Sequence, residues 1–175
     1  RVTHPLQRRP CTHRRAWLIG FAILAALPMV LGAILKPTGS EDIVAFEFAG
    51  SVDRATEIVC YWQAAGHIGA AKAIMVLDIV YPFIYALAIA GACVGAAAAW
   101  SRGRMASLGI AMAWVATSAI AFDYLENVGL AISLWDTPAS PWPQISAVAA
   151  VFKFTAIGLP LLYVLTWPVA SRAKS

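Results

Sequence analysis

Long uninterrupted apolar runs dominate this chain, in place of the alternating or heptad patterns of soluble strands and coiled coils. A bilayer-crossing helix needs about 20 mostly apolar residues. Four runs satisfy that length: residues 17–35, 73–99, 106–135 and 145–167. The first holds no charge, the second only Asp78, the third Asp123 and Glu126, and the fourth only Lys153. Pro28 is expected to kink the first run. That run is long for the core of a signal peptide, and Leu31-Gly32-Ala33 is a poor cleavage site, so it reads as an uncleaved helix.

The stretch 36–72 is mixed in character. Thr38 with Glu41 forms a capping-box pattern that predicts a short helix. Gly50 ends it, and Ser51 is placed to cap a second helix reaching about Ala65. Val52, Ala55, Val59 and Trp62 would share one face of that helix, with Asp53, Arg54 and Glu57 elsewhere. It is read either as an amphipathic stretch on the membrane surface or as a lid packed on the helices. The predicted fold is therefore all-α: a four-span transmembrane helical bundle with an external amphipathic segment between spans one and two. A basic segment, 1–16, precedes the single membrane domain, 17–167, and a tail, 168–175, follows it.

Composition supports this reading. Of 175 residues, 61% are hydrophobic and 13% charged, and the mean hydropathy is +0.72. A soluble domain is nearer half apolar and a quarter charged. The formal charge of +4 is not spread as a nucleic-acid surface would be. Nine of the thirteen Lys and Arg residues fall before span one, between spans two and three, or in the tail. By the positive-inside rule both termini are cytoplasmic, and 36–72 and the Pro-rich turn 136–144 lie outside. The expected location is the inner membrane, with the bilayer as the first partner and no nucleic acid. Cys11, Cys60 and Cys93 fall in different compartments of this topology, so no disulfide or thiolate metal site is expected. Trp17, Trp100, Trp135, Trp142 and Trp167 mark span ends as an interfacial belt. Gly91 with Gly95, and Gly109 with Ala113, form small-xxx-small patterns that favour close helix packing, and the first makes a homodimer conceivable.

The charges inside the spans carry the chemical information, because each costs about 2.5–3.5 kcal/mol to insert at a helix centre. At about 1.5 Å per residue, Asp78, Asp123, Glu126 and Lys153 all come to the outer half of the bilayer. Asp123, Glu126 and Asn127 share one face of span three by their i, i+3, i+4 spacing. Asp78, Pro82 and Tyr85 share one face of span two. Pro82 leaves a backbone carbonyl free near Asp78, where polar groups can enter. Three carboxyls against one lysine would carry two excess negative charges. At least one carboxyl is therefore expected to be protonated, or a cation or basic ligand group completes the site. The candidate binding residues are Asp78, Tyr85, Asp123, Glu126, Asn127 and Lys153. The alternative is that these groups only hold helices together. A metal held by His67 with Asp123 and Glu126 is the less favoured reading, and no metal or cofactor is expected. No phosphate-binding loop, dinucleotide fingerprint, HExxH or CxxC motif occurs.

The order Phe46-Glu47-Phe48-Ala49-Gly50, Trp62, then Leu77-Asp78-Ile79-Val80-Tyr81-Pro82, resembles a bacterial family of uncharacterised four-helix integral membrane proteins. Phe122-Asp123-Tyr124-Leu125-Glu126-Asn127 and Lys153-Phe154 continue the resemblance, which spans roughly 17–167. It implies the architecture and the choice of residues, and it supplies no reaction. The arrangement is also loosely similar, as an analogy of fold alone, to four-helix sterol-isomerase-type proteins. Three functions stay open. The first is a non-enzymatic membrane protein binding a lipid or small amphiphile, or docking a membrane partner. The second is proton- or cation-coupled transport. The third is a lipid-modifying enzyme with a carboxyl general acid/base, for which no nucleophile motif speaks.

Overall fold

The computed structural model describes residues 3–8, 43–100 and 103–166. The expected first span (17–35), the Thr38/Glu41 cap, Cys11 and the tail 168–175 lie outside these residues. Among the described residues there is no strand. After a 3-10 turn at Pro5–Arg8 come α1 (Ile43–Glu47), α2 (Val52–Ala64), α3 (Ile68–Leu77), α4 (Tyr81–Ala99), α5 (Arg104–Trp135) and α6 (Trp142–Val164). Helices α4, α5 and α6 have 19, 32 and 23 residues and are long and apolar enough to cross a membrane.

Burial is inverted relative to a soluble protein. Large apolar side chains such as Leu125, Val128, Val148, Val151, Phe152 and Leu162 are exposed, whereas Asp123, Glu126 and Lys153 are buried. Lipid solvates the former and cannot solvate the latter, so this distribution is the one a bilayer selects.

The expected second span, 73–99, is two helices rather than one. α3 ends with Asp78 as its C-cap, a turn covers 78–80, and α4 begins at Tyr81. Pro82 has no N–H to give the Asp78 carbonyl, so the helical ladder cannot continue there. Asp78 and Tyr85 consequently do not share one continuous helix face, contrary to the spacing argument.

The chain divides into two compact units. Among the described residues, the first unit holds 3–8, 83–100, 103–120 and 154–166, and the second holds 43–82 and 121–153. In the first unit, residues 89–97 of α4 are all buried, because their small side chains let neighbours approach the backbone on every side. Gly91 and Gly95 are thus covered within the chain itself. A Cβ at Gly109 would lie 2.7 Å from Ala97 Cβ and would collide with the Tyr163 hydroxyl, which donates to the Met105 carbonyl at 3.0 Å. Trp114 Nε1 donates to the Thr3 carbonyl at 3.3 Å, and the His4 ring packs edge-on against Trp114 with centroids 4.7 Å apart.

In the second unit, Ser51 caps α2 by accepting from the Arg54 N–H at 3.2 Å. The chain reaches this cap through Gly50, whose φ of 65° is the left-handed conformation glycine adopts most readily. Ala55, Ile58, Val59 and Trp62 of α2 are buried, while Arg54 and Glu57 pair on its outer side at 2.7 Å. This buried face packs with Phe46 of α1, Met75 of α3 and Leu130 and Leu134 of α5. The Phe46 and Trp62 rings meet edge to face at 5.1 Å. Lys72 places its ammonium 5.4 Å from the centre of the Trp135 ring, a cation–π geometry. α5 and α6 approach at Gly129, where a Cβ would stand 3.0 Å from the Trp142 carbonyl and collide with Ser146 Oγ.

Replacing Gly129 with alanine is therefore expected to lower stability by about 1–3 kcal/mol, as overpacking does. Gly158→Ala, where an added Cβ meets nothing within 4 Å, is expected to be neutral or to stabilise by up to about 1 kcal/mol. Thermal unfolding of the two variants in detergent checks the contrast.

Candidate functional site

The second unit buries a lysine among acids. Lys153 sits on α6 and is 5% exposed, Glu126 and Asp123 on α5 are 0% and 2% exposed, and Glu47 at the end of α1 is 7% exposed. Lys153 Nζ lies 2.7 Å from Glu126 Oε1, 3.3 Å from Glu47 Oε2 and 4.0 Å from Asp123 Oδ2. The three-residue step from Asp123 to Glu126 puts both carboxyls on the same side of α5. Leu125 and Val128, which fall between and beyond them, are exposed. A charge pair this deeply buried holds only when its remaining polar atoms are also satisfied.

Asn127 links this cluster to the interruption between α3 and α4. Its Nδ2 donates to Asp123 Oδ1 at 2.8 Å and to the Asp78 carbonyl at 3.5 Å. Both partners are acceptors, which fixes the orientation of the amide. The Asp78 carbonyl is the one Pro82 leaves without a helical donor. The next carbonyl, that of Ile79, accepts from the Tyr124 hydroxyl. Two side chains of α5, one turn apart, thus donate to consecutive carbonyls at the break. On the other side, Ser146 Oγ of α6 donates to the Glu126 carbonyl at 3.1 Å.

Of the six residues singled out in the sequence, Asp123, Glu126, Asn127 and Lys153 come together, and Asp78 joins through its backbone while itself half-buried. Tyr85 is buried and belongs to the first unit rather than to the unit that holds the other five. Glu47 is not among the residues singled out in the sequence; it falls in the stretch 36–72, read there as external. Glu47 is the single charge in the run Ile43 to Ala49, but Val44 and Phe48 of that run are exposed, so the run alone does not say which of its side chains are buried. His67 sits at the N-cap of α3 and makes no side-chain cap bond. Among the described residues, no group of three or more His, Cys, Asp or Glu is arranged to hold a metal ion.

Acceptors outnumber donors. Three carboxyls face one ammonium, so full ionisation leaves two negative charges uncompensated, and Asp78 stands as a fourth acid beside the cluster. Glu126 Oε2, Glu47 Oε2 and Asn127 Oδ1 are buried without a hydrogen-bond partner, Glu47 Oε2 touching Lys153 without hydrogen-bond alignment. Burial holds the Glu47 carboxyl above its ordinary range, against the opposing pull of Lys153.

Lys153→Met is expected to destabilise the fold by about 3–5 kcal/mol, the cost of orphaning buried partners of an ion pair. Lys153→Met/Glu126→Leu is expected to recover part of that loss. A double-mutant cycle of equilibrium unfolding in mixed micelles reads the coupling, and strict additivity of the two changes contradicts it. Compared with known proteins, the chain matches no family model, no curated protein and no solved structure.

Proposed function

We propose that the chain is a multi-pass inner-membrane protein that binds the donor-bearing headgroup of a lipid or small amphiphile at the Lys153 cluster. Residues 17–35 supply the first of four spans in this reading, both termini are cytoplasmic, and 36–72 lies outside. Asp78, Asp123, Glu126, Asn127 and Lys153 line the site, with Glu47 closing it. One observation carries the proposal: buried acceptor oxygens of Glu126 and Asn127 stand without donors, and Glu47 Oε2 meets only the Lys153 ammonium, at 3.3 Å and without hydrogen-bond alignment. Such groups cost about 1–3 kcal/mol each when left unpaired. A headgroup bearing N–H or O–H donors supplies what is missing, and its apolar tail is at home among the exposed Leu, Val and Phe side chains of the same helices.

A second reading, proton- or cation-coupled transport, draws on a different observation, the two uncompensated carboxylates around Lys153. A site that must gain positive charge to be stable is a site that can carry it.

Native mass spectrometry with lipid and metabolite extraction separates these readings. Wild type and Asp123→Asn/Glu126→Gln are released gently from membranes and compared. The binding reading expects a defined molecule on wild type, its occupancy falling about tenfold or more in a folded variant, as charged hydrogen bonds are worth about 1.5–3 kcal/mol. The same nonspecific lipid on both forms counts against it. Proton- or cation-driven flux in proteoliposomes, abolished in that variant, would install the transport reading.

A further inference from the structure

Of the groups that meet at Lys153 Nζ, Glu47 alone comes from outside the long apolar helices. It ends α1, a helix of five residues, and the segment α1–α2 packs on α5 through Phe46, Trp62, Leu130 and Leu134. Glu47 and Glu126 touch the same nitrogen, at 3.3 and 2.7 Å, which brings the two carboxyls side by side. Each also keeps an oxygen, Oε2 in both, that no hydrogen bond reaches, and Glu126 is fully buried. Two ionised carboxylates in that arrangement would repel each other with only one ammonium between them. A proton on either one converts an acceptor into a donor, fills the other's vacant lone pair and removes one of the two excess charges.

We infer that Glu47 and Glu126 share a bound proton, making the joint between segment α1–α2 and helices α5 and α6 a proton-binding site. The proton is taken from solvent and returned to it, and no other bond changes. The shared proton competes with a bound headgroup for the Glu47 and Glu126 oxygens: with the proton in place, Asn127 Oδ1 is the acceptor left for a ligand donor. The charged groups acting on Glu47 are Lys153 from α6, Glu126 from α5 and Asp78 at the end of α3, and Asp123 of α5 lies 4.0 Å from the same Lys153 ammonium. The acids outnumber the one cation, which favours retention of the proton. The sign of the linkage follows. The docked segment holds the proton more tightly than an undocked one, so docking is strongest at low pH and weakens as pH rises through the docked-state value.

The test is infrared spectroscopy of the full-length chain in lipid nanodiscs. At neutral pH the wild type is expected to show the carbonyl band of a protonated carboxyl. Carboxyl-13C glutamate should shift that band and carboxyl-13C aspartate should not, a result that needs no variant to fold. Glu47→Gln and Glu126→Gln should each abolish it. Absence of the band in wild type at neutral pH, or a band that follows the aspartate label, overturns the inference. Hydrogen exchange of residues 43–64, measured relative to the intrinsic chemical rate, should accelerate with rising pH in wild type and lose that dependence in Glu47→Gln. Equal pH dependence in both proteins overturns the linkage to docking.

Discussion

An ammonium group that cannot reach water must be surrounded by acceptors, and the second unit is organised around that requirement at Lys153. Removing an ion from water costs several kcal/mol even after the protein relaxes. The compensation comes from Glu126 and Asp123 on one helix and Glu47 on another. These contacts set the register of α6 against α5, because a shift of one residue would turn Lys153 away from both acids. They also fix where α1 docks, and with it the apolar packing of Phe46 on Trp62. The ion cluster specifies which surfaces meet, and the apolar contacts behind it supply the area that holds them together.

The backbone obeys the same rule as the side chains. In an apolar environment no carbonyl can be left bare. Pro82 leaves the Asp78 carbonyl without its helical donor, and Asn127 reaches across from α5 to it, while Tyr124 donates to the next carbonyl, that of Ile79. Asn127 serves both systems at once, since the same amide nitrogen donates to Asp123 Oδ1. A break in one helix and an acid on another are thereby made parts of a single hydrogen-bonded network, in which each member limits the freedom of the next.

The sequence made the polar network more legible than the helix boundaries. Asp123, Glu126, Asn127 and Lys153 stood out because charges within apolar runs are costly and helical spacing gathers them on one face. Hydropathy alone read 73–99 as one span, since Ile79 and Val80 are as apolar as the helices around them, and only the missing N–H of Pro82 marked the break. The proline was noticed for its freed carbonyl, but its effect on the helix axis was not drawn. Glu47 escaped because its neighbourhood is too short to register as a buried helix. Its burial depends on contacts with residues more than seventy positions away, which no local pattern encodes. Tyr85 was placed with the cluster on the assumption of an unbroken helix, and the break removes that assumption.

The pairing of Lys153 with Glu126, on consecutive helices joined by a short loop, also bears on how the chain enters a bilayer during synthesis. Helix α5 carries two acids, each costing about 2.5–3.5 kcal/mol at the centre of an isolated inserted helix. Its counter-ion is encoded 27 residues after Glu126 and emerges only with α6. A lone α5 would therefore be a poor substrate for release into lipid, whereas in the α5–α6 hairpin Glu126 already has its counter-ion. Ser146 adds a hydrogen bond to the Glu126 carbonyl across that hairpin. Pairing the two helices therefore lowers the cost of placing Glu126 and Lys153 in an apolar environment, whatever the rest of the fold contributes.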